Sequence, residues 1–122
     1  MENKASILIA SSNLACINLF VYLLQSEYTL CTVNSGYEAI NMAMNIKPDL
    51  ILLDTKTTDM SGYETMLALR YMNDTKKISV IIITDSVNDE DRALNMGAAD
   101  CIQINSTQYL IKNKIRNLLR AT

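Results

Sequence analysis

A chain of 122 residues, 49% hydrophobic and 20% charged, is long enough for one domain with its own core and too apolar to stay disordered. No apolar run approaches the ~20 residues that span a bilayer, which excludes a helical membrane protein. A net charge of −2 gives no electrostatic pull toward nucleic acid, and with no histidine and no CxxC pair a zinc site lacks ligands.

The chain opens on MENKAS, without the basic start and long apolar run of an export signal, so a cytoplasmic location is expected. SILIA at 6–10 predicts a first strand. After Ser11 and Ser12 comes a helical pattern in which Leu14, Ile17, Val21 and Leu24 share one face, capped by Ser12 or Asn13. YTLCTV at 28–33 predicts the second strand. Ser35 with Glu38 reads as a capping box opening the second helix, which Pro48 ends. DLILL at 49–53 predicts the third strand and delivers Asp54, and Ser61 with Glu64 opens the third helix in the same way. SVIIIT at 79–84 predicts the fourth strand, and Gly97 closes the fourth helix at a position needing positive φ. DCIQI at 100–104 predicts the fifth strand. Ile111, Ile115, Leu118 and Leu119 mark the core face of a last helix, with Lys112, Lys114, Arg116 and Arg120 on its solvated side. Cys16, Cys31 and Cys101 read as small buried hydrophobes and the seven methionines as core filling.

Three of the five strand runs are continuously apolar, as parallel strands covered on both faces must be. The pattern predicts five βα units in one domain over 1–122, a doubly wound five-stranded parallel sheet with five helices. Chemistry in such a fold collects beyond the carboxyl ends of the strands. That selects Ser11, Ser12, Asp54, Thr84, Asp85 and Ile104. A dinucleotide site is excluded, because there is no GxGxxG.

With these residues in place, the chain resembles the receiver domains of two-component response regulators over nearly its whole length. KPDLILLDTKTTDMSGYE, Lys47 to Glu64, is similar to the family's stretch around its phosphorylated aspartate and puts that residue at Asp54. SVIIITDS resembles the fourth strand with its switch hydroxyl, here Thr84, and DRALNMGAADCI resembles the fourth helix entering the fifth strand. The resemblance implies the flavodoxin-like receiver fold and a signalling role that is not enzymatic.

In that family an acidic pair after the first strand joins the acceptor aspartate to bind Mg²⁺. A lysine after the fifth strand holds a phosphoryl oxygen, and a hydroxyl and an aromatic carry the response. Here the acidic pair falls on Ser11 and Ser12, the lysine on Ile104, the proline after it on Asn105, the aromatic on Cys101, and the loop proline on Thr58. Asp54 and Thr84 remain, with the Lys56 carbonyl as a further oxygen. A serine hydroxyl is a weak substitute for carboxylate toward Mg²⁺. The expectation is therefore a degenerate receiver with a vestigial phosphoacceptor at Asp54, no catalytic residue, no metal ligand set and weak or absent Mg²⁺ binding. Its pocket would comprise Ser11, Ser12, Lys56, Thr84, Asp85 and Ile104, with Thr84 and Cys101 at the switch positions.

Each residue also has a plainer reading. Asp54 can be a structural acid at a strand end; Lys56 can cover the pocket with its ammonium or stay a solvated loop lysine; Asp85 can restore acidity or begin a cap over the next turn. Cys101 and Ile104 extend the core. The expected use is signalling by protein contact without phosphate, as a homodimer or against another receiver or an output domain. The contact surface is the fourth helix, fifth strand and fifth helix, Asn88 to Arg120. The alternatives are a conventional receiver phosphorylated on Asp54 by a histidine kinase, and a sensor whose pocket takes a small uncharged molecule. Membership of a longer regulator, such as one ending in a diguanylate cyclase, stays open.

Overall fold

Ile7 to Ala10, Leu50 to Leu53 and Val80 to Ile83 are buried on both sides of their strands, which requires helices over both faces of a sheet. The computed structural model describes residues 4–120 and shows that arrangement. Met1 to Asn3, part of the stretch read as carrying no export signal, lie outside the described residues, as do the last two.

The elements alternate: β1 (Ser6–Ala10), α1 (Leu14–Leu24), β2 (Thr29–Val33), α2 (Gly36–Ile46), β3 (Leu50–Asp54), α3 (Gly62–Tyr71), β4 (Ser79–Thr84), α4 (Asp89–Asn95), β5 (Asp100–Gln103) and α5 (Gln108–Arg120). The five strands are parallel in the order β2-β1-β3-β4-β5. The chain reverses its direction of travel across the sheet between β1 and β3, so Ser11 and Asp54 leave neighbouring strands where such folds form their crevice.

Strand periodicity divides the core in two. Ile7, Ile9, Leu50, Leu52, Ile81 and Ile83 face α1 and α5, through Phe20, Leu23, Ile111 and Ile115. Leu8, Ala10, Ile51, Leu53, Val80 and Ile82 face α2, α3 and α4, through Ala39, Ala43, Met66, Leu69 and Ala93. Tertiary packing corrects the expected face of α1. Leu14 is 69% exposed, and the helix buries Cys16, Phe20, Leu23 and Leu24. Its sequence, LACINLFVYLL, is apolar nearly all round, so periodicity alone does not set its rotation; the largest ring, Phe20, takes the interior. On α5, Ile111 and Ile115 are buried with Leu118 and Leu119 packed beside them, as the spacing predicts.

The punctuation holds, with one amendment at the expected Ser35 capping box. Asn13, rather than Ser12, caps α1 by accepting from Ala15 and Cys16 N–H. Ser61 and Glu64 form a complete capping box, whereas at Ser35 the Glu38 carboxylate accepts from the serine hydroxyl, at 3.2 Å. Gly97 has φ of +105° after α4, and Lys47 takes the left-handed position after α2.

Two surface readings change. Lys114 and Arg116 are tied internally: Lys114 donates to the Cys101 carbonyl at 2.7 Å, and Arg116 grips Glu27 through two nitrogens. Among the described methionines Met66 alone is fully buried, with Met42 and Met96 only packed against the core. The three cysteines are free; Cys16 and Cys101 are buried and Cys31 is half-buried on β2. No described helix is long and apolar enough to cross a membrane.

Candidate functional site

β3 ends on Asp54 and β1 ends one residue before Ser11, and the parallel register of the two strands sets these side chains together. The Ser11 hydroxyl, wholly buried, donates to Asp54 Oδ2 at 2.6 Å. The Lys56 N–H donates to Oδ1 at 3.1 Å. Asp54, 9% exposed, thus has both oxygens engaged by neutral donors from its own fold.

Ser12 does something different from its neighbour. Its N–H and its hydroxyl both donate to the Lys56 carbonyl, at 3.1 and 3.0 Å. The hydroxyl is therefore turned onto the loop after β3, and neither Ser12 nor the wholly buried Ser11 lines the cleft, which corrects their expected place in the pocket; Ser11 touches it only through Asp54. The Lys56 ammonium crosses to Asp85, 3.1 Å away, in a largely exposed pair. Asp85 is thereby the counter-charge of Lys56 and not the start of a cap.

A cleft of about 70 Å³ lies among these groups, lined by Asn13, Cys16, Asp54, Lys56, Ile83, Thr84, Asp85 and Ile104. Sequence reading misses Asn13, Cys16 and Ile83 as lining residues. Cys16 reads as a core hydrophobe because only the sheet geometry brings its helix turn over Asp54. Burial pushes its thiol up to about 11, opposed by the Ser11 hydrogen bond and reinforced by the Asp54 charge, so it is no thiolate nucleophile at neutral pH. Ile104 is half-buried and packs on the α1 and α5 side of the core, one residue beyond the observed end of β5.

Thr84 is 1% exposed, and its hydroxyl donates to Asp89 Oδ2 at 2.6 Å while accepting from Ser86 N–H. Asp89 begins α4, and its carbonyl also accepts from the Tyr63 hydroxyl at 3.4 Å. The Arg92 guanidinium stacks 4.0 Å from the Tyr63 ring centroid. The first turn of α4 is thus held to β4 and α3. Cys101 is 2% exposed within the core that contains Ala93 and Ala98.

The loop after β3 is braced from the other side. Asp59 accepts from Gly36 N–H at 2.7 Å and Tyr37 N–H at 3.0 Å, serving as a second cap on α2. Thr58 bonds the Asn34 carbonyl, and Gly62 donates to the Thr55 carbonyl. A methyl group at Gly62 would collide with the Asp54 backbone, so glycine is what lets α3 start this close to the end of β3.

Comparison with known proteins decides what this arrangement is: the family model described as the response regulator receiver domain matches residues 7–116. The chain belongs to that family. The response regulator MprA of Mycobacterium leprae is 32% identical over 95 residues, 78% of this chain and 42% of that protein. A probable cyclic di-GMP phosphodiesterase of Vibrio cholerae is 30% identical over 99 residues, 80% of this chain and 22% of that protein. The receiver therefore spans less than half the length of these curated relatives. The receiver domain of a sensor histidine kinase from Pseudomonas aeruginosa, solved with magnesium in its active-site cleft, superposes with a TM-score of 0.87. It covers 95% of this chain and 98% of its own at 20% identity, which establishes a shared fold.

Receiver domains of two-component signalling hold Mg²⁺ in this cleft, and the donor set here does not fit that ion. Mg²⁺ needs hard anionic oxygens in octahedral array. Asp54 supplies the single buried carboxylate among the described residues, the Lys56 carbonyl already accepts two hydrogen bonds from Ser12, and Asp85 is paired with Lys56. Among the described residues no group of three His, Cys, Asp or Glu is placed to hold a metal.

Proposed function

We propose that this receiver, a single domain over 1–122, is degenerate and signals in the cytoplasm by protein contact independently of phosphate. The observation that carries the reading is the pair of serines. Ser11 bonds Asp54 and Ser12 bonds the Lys56 carbonyl, so where a metal would need further carboxylates the chain supplies neutral hydroxyls that donate to the oxygens present. Phosphoryl transfer depends on charge neutralisation and positioning, a metal supplies several kcal/mol of it, and each ~1.4 kcal/mol is about tenfold in rate. Ile104 adds no cation in place of the family's lysine. Asp54 is on this reading a vestigial acceptor.

The partner surface is α4, β5 and α5, for a second copy, another receiver or an output domain, with no role for nucleic acid or a membrane. Leu94 of α4 and Leu110 of α5 are 43% and 45% exposed, which supports helix-face docking. β5 itself is a poor edge for strand addition. The Asp100 carboxylate accepts from Cys101 N–H, and Lys114 donates to the Cys101 carbonyl.

A conventional receiver phosphorylated on Asp54 by a histidine kinase is the second reading, favoured by Asp54 lining the cleft at the end of β3. Incubation with Mg²⁺ and acetyl phosphate, followed by intact-mass analysis, separates the two. The expected outcome is unmodified protein. An adduct of about 80 Da that disappears in Asp54→Asn establishes the second reading instead.

A further inference from the structure

Buried charges in proteins are paired with an opposite charge or bound to a metal, because desolvating an isolated ion is costly. Among the described residues Asp54 has no such partner. It is 9% exposed, and its oxygens accept from neutral donors. Among the described residues the ion pairs lie elsewhere: Lys56 reaches Asp85, Lys114 reaches Asp100 and Arg116 reaches Glu27. Thr84 is no alternative donor, since its hydroxyl is committed to Asp89. The carboxylate nonetheless lines a cleft of about 70 Å³, and Cys16, Ile83 and Ile104 give that cleft an apolar part.

We propose that this cleft binds a small protonated amine, with the ammonium donating to Asp54 and a short alkyl chain packed on Cys16, Ile83 and Ile104. Ser11 and the Lys56 N–H each donate to one carboxylate oxygen and the Cys16 thiol bonds the same group, all of them neutral, so the two oxygens, with about four lone-pair sites between them, keep acceptor capacity and no positive partner. An ammonium brings three donors and a positive charge without the octahedral oxygen shell that Mg²⁺ demands. Ile104 matters twice: it brings no ammonium of its own, and it offers a surface for the alkyl part. The proposal rests on the reading of the cleft as a former phosphoryl site without a metal.

Titration with ethylammonium chloride, followed by amide chemical shifts and calorimetry, tests it. Tetramethylammonium, which has no N–H, is run at equal ionic strength, with Mg²⁺ alongside. Ethylammonium should give saturable shifts at Asp54, Cys16 and Ile104, and tetramethylammonium none. Asp54→Asn should weaken binding about tenfold or more, the difference between a charge-assisted and a neutral hydrogen bond. Ile104→Lys adds an ammonium to the same wall and should weaken it likewise, which keeps the test decisive if Asp54→Asn does not fold. Shifts that never saturate, or that persist undiminished in both variants, overturn the proposal. If the amine fails and Mg²⁺ also has no effect, this inference falls and the proposed function stands. Saturable Mg²⁺ binding overturns both.

Discussion

Asp54 stays nine-tenths buried on hydrogen bonds from neutral donors, and the one from Ser11 is shorter than that from the Lys56 N–H. Ser11→Ala removes that donor and leaves a buried oxygen short of a partner, which costs about 1–3 kcal/mol. Urea unfolding should show a lower midpoint with an unchanged slope; a midpoint equal to the parent's would mean that water replaces the hydroxyl freely. The positions of these two residues are legible in the sequence, because each follows an apolar run whose end marks the rim of a parallel sheet. Their partners are not legible in the same way. Ser12 and Lys56 are 44 residues apart, and nothing in the local spelling of either loop says that hydroxyl and carbonyl meet. Thr84 and Asp89 are five apart and still escape notice, since the bond depends on α4 starting at Asp89 rather than on spacing.

Elements whose two faces differ, or whose faces are both buried, are read correctly from sequence; an element that is apolar all round is not. β1, β3 and β4 belong to the first kind and α1 to the second, where Phe20 rather than periodicity fixes which side goes in. Contacts between loops also lie outside such patterns, and Asp59 is one with a measurable consequence. The Gly36 N–H chiefly holds its carboxyl below the usual 3.8, against an opposing desolvation, with the Tyr37 N–H adding to it. A carboxylate whose folded pKa is depressed contributes stability above its unfolded pKa and loses it as pH falls through the folded value. Asp59→Ala should therefore lower the melting temperature modestly at neutral pH, and the gap to the parent should close as the pH drops below 3.8. A gap that is constant with pH would show that the carboxylate's charge has no part in capping α2.

The whole molecule has the receiver fold, and the proposed separation of that fold from its chemistry can be tested by introducing the family's side chains. Ser11→Asp, Ser12→Asp and Ile104→Lys together should raise Mg²⁺ affinity at least about tenfold in calorimetry at neutral pH, with effects far from additive because Ser11 bonds Asp54, Ile104 lines the same cleft and Ser12 bonds the adjoining Lys56 carbonyl. A triple variant that folds and binds no better than the parent would mean that these positions do not correspond to the family's. The lack of additivity bears also on what the proposed degenerate state would require to be undone. At position 12 the hydroxyl donates to the Lys56 carbonyl, and a carboxylate alone would set acceptor against acceptor. At position 11 the hydroxyl donates to Asp54, and a carboxylate alone would set anion against anion. Each of these substitutions made alone should therefore lower the stability of the fold. On the proposed reading the two serines would act as a ratchet, because each substitution back toward a metal site would first break a hydrogen bond that the present fold makes.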